Sequence, residues 1–276
     1  MSELATVLAA GLGAAASFGA GDFSGGVATK RDPVTRVVAL GHLLSLALFV
    51  GLALATGEPW PRPADLAWGA LAGVGGVIGL GCLYRGLALG PMGTVAAISA
   101  VLAASVPVVV SVLLGDALGP VQVTGIVLAL LGVTVLSRET SQGRGGLGLA
   151  VLAGLGFGAF FVLLGQTQPG SVFWPLVMAR LVSAGVMLLL ALRGPGLRPQ
   201  AVVPIVGSSF LDALGNVLFV IAAQTGRLAE ASVLSNVYPA FTVLLALLVL
   251  RERLRVDQWW GLALTLLAVP LIAARP

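Results

Sequence analysis

Charged side chains are scarce in this sequence: Asp, Glu, Lys and Arg make up 9% of its 276 residues, against about 25% in soluble domains. Hydrophobic residues make up 58%, and the mean hydropathy is +1.05. A water-soluble fold is excluded, because its surface must meet water and there is too little polar side chain to cover it. One cysteine, Cys82, sits inside an apolar run, so no disulfide can form within the chain. One histidine, His42, joins it, which leaves no His-rich metal motif and few routes to nucleophilic chemistry. There is no phosphate-cradling loop of the Gly-Lys-Ser type and no Gly-x-Ser-x-Gly elbow, which argues against a built-in ATP motor and a serine hydrolase. Neither an enzyme nor a cofactor is expected. The first ten residues lack the basic stretch of a signal peptide, and their apolar run continues past Ala20. They read as a retained first helix.

What the chain has instead is apolar runs of membrane-spanning length, about 20 residues each. Ten segments qualify, roughly 4–23, 34–56, 65–88, 93–114, 119–137, 146–165, 172–192, 201–223, 228–250 and 256–273. The gaps hold the turn formers and most of the charge, as in Asp32-Pro33, Gly57-Glu58-Pro59, Gly90-Pro91 and Gly194-Pro195. Helices are expected, since they satisfy their own backbone inside lipid. The net charge of +4 and the pI of 10.2 do not mark a nucleic-acid binder, because the basic residues fall in the short gaps, where loops are oriented at a membrane surface. Trp60, Trp68, Trp174, Trp259 and Trp260 all lie near a predicted helix end, the level that indole prefers. Gly69, Gly73, Gly75 and Gly79 in the third span, and Ala150, Gly154 and Gly158 in the sixth, suit close helix packing. The expected fold is an all-α integral membrane protein, multi-pass in the cell (inner or plasma) membrane, with lipid around it.

The sequence also repeats itself. A shift of 136 residues lays spans three to five on spans eight to ten without a gap: Gly79 on Gly215, Gly90 on Gly226, Ser99 on Ser235, Gln122 on Gln258, Gly125 on Gly261. Phe18-Gly19-Ala20 matches Phe157-Gly158-Ala159 at 139, and His42 matches Arg180 at 138. The domains are therefore read as 1–140 and 144–276, five helices each. An odd helix number makes the second unit enter the membrane from the opposite side, giving two inverted five-helix repeats. That architecture is typical of secondary transporters with a site near the midplane. Ten Lys and Arg residues lie in the loops that follow odd-numbered spans, and three on the other side with both termini. The positive-inside rule makes the ten-residue side cytoplasmic and the termini external.

The stretch Tyr238-Pro239-Ala240-Phe241-Thr242 through Leu250-Arg251-Glu252-Arg253-Leu254, followed by Gln258 and Gly261, resembles the second EamA domain of the drug/metabolite transporter superfamily. The first-repeat counterpart runs from Gly90-Pro91-Met92 through Gly115-Asp116 to Gly125, and Ser17-Phe18-Gly19-Ala20-Gly21-Asp22-Phe23 is similar to the opening helix of that domain. The first copy departs from the pattern, with Gly115-Asp116-Ala117 where the second has Arg251-Glu252-Arg253. The resemblance implies a ten-helix carrier of small metabolites, often an exporter. It also implies cytoplasmic termini, opposite to the charge count.

Ionisable groups inside a bilayer cost about 2.5–3.5 kcal/mol on insertion scales, so each needs a reason. Asp212 falls mid-span, with Asn216 one turn on; the pair reads either as a proton-coupling or cation site or as an interhelical hydrogen bond. Arg180 always donates, and reads as a partner for Asp212 or for a substrate carboxylate. His42 reads as a satisfied interior group or a proton relay. Asp22, within Gly21-Asp22-Phe23-Ser24-Gly25-Gly26, reads as lying near an unwound or capped end of the first helix, and Tyr84 with Arg85 as interface anchors or, less simply, substrate contacts. Pro107 and Pro239, well inside spans four and nine, are candidate hinges or static bends, and Ser99, Ser235, Asn236 and Tyr238 are candidate cavity residues beside them. The reading is a secondary active transporter, an exporter of a small organic metabolite or drug-like solute by alternating access with proton coupling. An uncoupled facilitator is the alternative, and a membrane-embedded enzyme or scaffold the third class. Such a carrier works as a monomer or homodimer, needs no metal and no nucleic acid, and suits a modestly polar solute rather than a polyanion.

Overall fold

The protein is seen in a computed structural model that describes residues 3–113, 119–137, 144–168, 170–194, 196–224, 234–235, 237–251 and 256–273. Among the described residues ten helices follow along the chain: α1 (Glu3–Thr29), α2 (Val34–Thr56), α3 (Pro63–Leu89), α4 (Met92–Leu113), α5 (Pro120–Ser137), α6 (Arg144–Leu164), α7 (Phe173–Arg193), α8 (Val202–Gln224), α9 (Tyr238–Val249) and α10 (Val256–Ala273). Among the described residues, α2, α3, α6, α7 and α8 are long and apolar enough to cross a membrane by length and composition. Every expected span coincides with a helix over its described residues, the ninth from Tyr238 on. The boundaries have local causes. Gly57 closes α2 at φ 66°, with its amide on the Ala53 and Leu54 carbonyls. Pro63 opens α3 where a missing amide costs nothing. Gln122 accepts the Gly119 amide at 2.9 Å and so caps the start of α5. That gives the repeated glutamine a physical task in the first copy.

Two expectations change. Span one was expected to end near Asp22, unwound or capped there, but α1 stays helical to Thr29, so Asp22 lies within the helix. The glycines there admit neighbours rather than unwinding: a Cβ on Gly25 would fall inside the Tyr84 ring, and one on Gly26 would press on Leu87. Pro239 was expected deep inside a span, but it lies in the first turn of α9, where proline is tolerated. It therefore removes no helical hydrogen bond from the described part of that helix. Positions 225–233 and 236 of the expected ninth span lie outside the described residues, as does Asp116. α4 runs helical through position 107, and α10 contains Pro270, which the sequence reading did not mark.

The packing is inverted relative to a soluble protein. Large apolar side chains face outward on all ten helices, as with Leu12, Leu54, Leu71, Leu130, Leu189, Val203 and Leu248. The interior is built largely from Ala, Gly and Ser, including Ala14, Ala39, Ala72, Ala96, Ala150 and Ala153. Lipid supplies no hydrophobic drive between helices, so close backbone approach and dispersion must hold them. Gly69 and Gly73 let α3 meet the α7 backbone at Pro175 and Ala179, and Gly75 meets Gly156 of α6.

Helices of one half pack mainly on helices of the other: α3 on α6 and α7, α1 on α8 and α9, α2 on α7 and α8, and α5 on α10. Loops pair as well. At one end Asp32, after α1, accepts the amides of Gln200 and Ala201 at 2.8 and 2.7 Å and pairs with Arg36 at 2.6 Å, while Arg36 Nε donates to the Gly196 carbonyl. At the other end Glu58, after α2, accepts the amides of Val172, Phe173 and Trp174 and so caps α7, and Asp65 accepts from Gln168 and Arg62.

Burial works against the charge on Asp32, but the Ala201 amide, Arg36 and the Gln200 amide outweigh it and hold its pKa below the ordinary 3.8. A lowered carboxylate pKa stabilises the fold fully above 3.8, and that contribution fades as pH falls through the folded-state value. Asp32→Asn is expected to cost about 1–3 kcal/mol at pH 7. It is also expected to flatten the acid side of a melting-temperature profile. A mutant that melts with wild type at pH 7 would remove the clasp from the account.

Candidate solute and coupling site

Where α2, α7 and α8 meet, the structure gathers three ionisable residues of the spans, His42, Arg180 and Asp212. Arg180, on α7 and 6% exposed, donates through Nη2 to Asp212 of α8 at 2.5 Å and through Nη1 to His42 Nε2 of α2 at 3.2 Å. The guanidinium carbon lies 5.7 Å from the centre of the Phe49 ring, a cation–π contact. Guanidinium cannot accept, so His42 Nε2 must be the bare acceptor and the proton must sit on Nδ1. Nδ1 then donates to Ser183 Oγ at 2.6 Å, whose own hydroxyl reaches the Arg180 carbonyl at 3.2 Å. The chain of donors closes only with a neutral imidazole. Arg180 Nε is buried with no partner among the described residues.

His42 and Arg180 hold matching positions in the two repeats, and they touch. The sequence reading did not single out Ser183, although the same shift of 138 pairs it with Ser45. Ser45 Oγ donates to the Ser209 carbonyl of α8, so each member of this serine pair ties α2 to the second half.

A small cavity opens beside the cluster, lined by His42 and Ser45 of α2, Tyr84 of α3, and Ser208, Ser209 and Asp212 of α8. Tyr84 was expected at the membrane interface. It is instead 3% exposed, drawn inward because Gly25 leaves room for its ring. Arg85 is exposed, as an anchor would be. Asn216 shares the Asp212 face, but its Nδ2 donates to the Asp212 carbonyl, one turn back on its own helix.

Asp22 lies on α1, outside the lining of that cavity. Its neighbour Gly21 lies against the α8 backbone at Ser208 and Asp212, and Asp22 is within electrostatic reach of Asp212, Tyr84 and Tyr238. Tyr238 stands beside Ser99, which is fully buried. Ser235 is buried nearby in sequence, and Asn236 lies outside the described residues. Thr242, missed by the sequence reading, donates to the Gly19 carbonyl at 3.1 Å and ties α9 to α1. No group of three or more His, Cys, Asp or Glu among the described residues could hold a metal ion.

Comparison with known proteins bears on this arrangement. The sequence model of the EamA-like transporter family matches residues 5–138 and again 144–274. The uncharacterized transporter PA0485 of Pseudomonas aeruginosa is 38% identical over 91 residues, which span 31% of this chain and 30% of that protein. A crystal structure of a protein at 17% identity covers 96% of this chain and 96% of its own, with a TM-score of 0.65. At that identity the likeness speaks for the fold alone.

Proposed function

This chain belongs to the EamA-like transporter family, a multi-pass membrane transporter rather than an enzyme, and we propose that it is a proton-coupled secondary transporter working by alternating access. Its cargo is a small, modestly polar organic solute, its direction is export, and its place is the cell membrane. The observation that carries this is the Arg180–Asp212–His42 cluster, buried where the halves meet and open to a cavity. A buried donor without a partner costs about 1–3 kcal/mol. The bare Nε of Arg180 is therefore a place for a solute or water acceptor.

Two features support inverted halves. The loop after α1 meets the loop after α7, and the loop after α2 meets the loop after α6. Exchange of the repeats turns each of these pairings into the other. His42 touching its own repeat counterpart supports an axis between α2 and α7. Inverted halves can exchange conformations, which opens a central site to each face in turn.

In the proposed coupling step a proton taken by Asp212 weakens its charge-assisted bond to Arg180 and frees α8 from α7. Conversely, the pair can be purely structural, which is what an uncoupled facilitator would need. A thermal-shift screen of purified protein identifies a solute, and flux into liposomes under an imposed pH gradient then separates the readings. Wild type is expected to show saturable flux that grows with the gradient, and Asp212→Asn to lose the gradient response while melting cooperatively. Gradient-driven flux unchanged in Asp212→Asn would end the coupling role.

A further inference from the structure

The cavity beside Asp212 is not placed evenly between the two ends of the bundle. Its lining on α2 begins at Val37, next to Arg36 of the Asp32 clasp, and ends at Ser45, about one turn short of Phe49. On α8 it takes in Ser208 and Ser209, which lie between the clasped Ala201 and Asp212. The cavity therefore lies on the clasp side of the Arg180–Asp212 pair. Towards the end where Glu58 caps α7, Phe49, Ala72, Phe160, Leu176 and Ala213 close into an apolar cluster instead. Water meets polar groups on one side of the pair and hydrocarbon on the other.

The polar groups in that wall are set to accept. Ser208 and Ser209 give their hydroxyl protons to the Ile205 carbonyl at 2.9 and 2.7 Å, and Ser45 gives its own to the Ser209 carbonyl at 3.4 Å. Their oxygen lone pairs remain, and a water molecule can donate to them. Arg180 takes Oδ2 of Asp212, and among the described residues nothing is bonded to Oδ1. The cavity holds about 10 Å³, room for about one water. Gly41 keeps that room open. A Cβ there would lie 2.8 Å from Ser209 Oγ, about one turn nearer the clasp than Asp212.

We propose that this cavity is the route by which the coupling proton reaches Asp212, from the face that carries the Asp32 clasp, on a water held by Ser45, Ser208 and Ser209. The water gives one proton to Asp212 Oδ1 and takes another from the solvent side, so it is regenerated at each transfer. The groups facing Asp212 are Arg180 from α7, His42 from α2, Tyr84 from α3 and, outside the cavity lining, Asp22 from α1. Arg180 does not release its proton, and both ring nitrogens of His42 are already bonded, which leaves the water as the carrier. This rests on the proton-coupled reading above and adds the path and the side of entry.

The test is a laser-triggered pH jump on the full-length protein in detergent, followed by the infrared absorption of protonated carboxyl groups. The band of Asp212 is the one that Asp212→Asn removes. Gly41→Ala is expected to slow the rise of that band by at least about tenfold and to leave its final size unchanged. Ser209→Val, which puts a methyl group where the hydroxyl stands, is expected to slow it likewise. Gly51→Ala is the control on the same helix, since a Cβ there meets nothing within 4 Å, and it is expected to keep the wild-type rate. Thermal melting shows whether each variant is folded. Folded Gly41→Ala and Ser209→Val proteins that protonate as fast as wild type would overturn the route and leave the coupling reading standing. Equal slowing in Gly51→Ala would overturn it too, because the effect would not belong to the cavity. If Asp212→Asn removes no band, the coupling reading itself fails, and the route with it.

Discussion

Arg180→Met is expected to destabilise the protein by about 3–5 kcal/mol, the range for removing one partner of a buried ion pair. The side chain is 8% exposed and its partner Asp212 is 23% exposed, so little water can take over the lost charge. The substitution also removes the donor that holds His42 Nε2, and it opens the contact with Phe49. Most of the loss comes from the carboxylate left behind, not from the worth of the pair itself. Arg180→Met combined with Asp212→Leu is therefore expected to recover much of the stability, a coupling that a double-mutant cycle measures directly. The readout is the midpoint of detergent-driven unfolding for the four proteins. A single mutant within about 1 kcal/mol of wild type would mean that Asp212 is already relieved by protonation or water. Additive losses in the double mutant would mean that the two side chains act separately.

The second large effect is steric. Gly156 faces α3 so closely that a Cβ there would lie 2.5 Å from the Gly79 nitrogen and 2.8 Å from the Gly75 oxygen. Both obstacles are backbone, so no side-chain rotation can relieve them. Gly156→Leu must push α6 away from α3, two helices from opposite halves, and is expected to cost about 3 kcal/mol or more. Gly148→Ala, in the same helix, is the control. A Cβ there meets nothing within 4 Å, so the expected change is neutral or slightly stabilising, since alanine favours helix over glycine. Melting temperatures in one detergent compare the two. Equal behaviour would show that the α3–α6 contact is looser than its backbone spacing implies.

Gly156 also shows where sequence reasoning stops. A glycine-rich chain offers many small-xxx-small spacings, and the sequence reading marked Gly75 and Gly79 but passed over the residue they meet. Spacing tells that a helix has a smooth face; it does not tell which helix lies against it. The same limit applies to Tyr84. Its position near a helix end resembles an interface anchor, and only the neighbouring α1, with Gly25 opposite the ring, turns it inward. Asp22 was misplaced for a related reason. Glycines permit an unwound backbone, but they also permit a close neighbour, and the choice depends on what packs there.

The sequence by itself determined the ten helices, the membrane as solvent and the two-fold repetition. Each of those follows from local quantities: the length of apolar runs, the charge in the gaps, and residue identities that recur at one shift. It also flagged Asp212, Arg180, His42 and Asp22, because an ionisable group in a membrane span is costly wherever it points. Only the tertiary structure decided how those four share their charges. Arg180 is 138 residues from His42 and 32 from Asp212, and nothing along the chain says that one guanidinium satisfies both. Pairing depends on distances of a few ångströms between three helices, α7 and α8 of one half and α2 of the other. Those distances are set by where glycine and alanine let the backbones approach. Among the described residues that packing pairs Arg180 with Asp212, while Asp22 makes no ion pair.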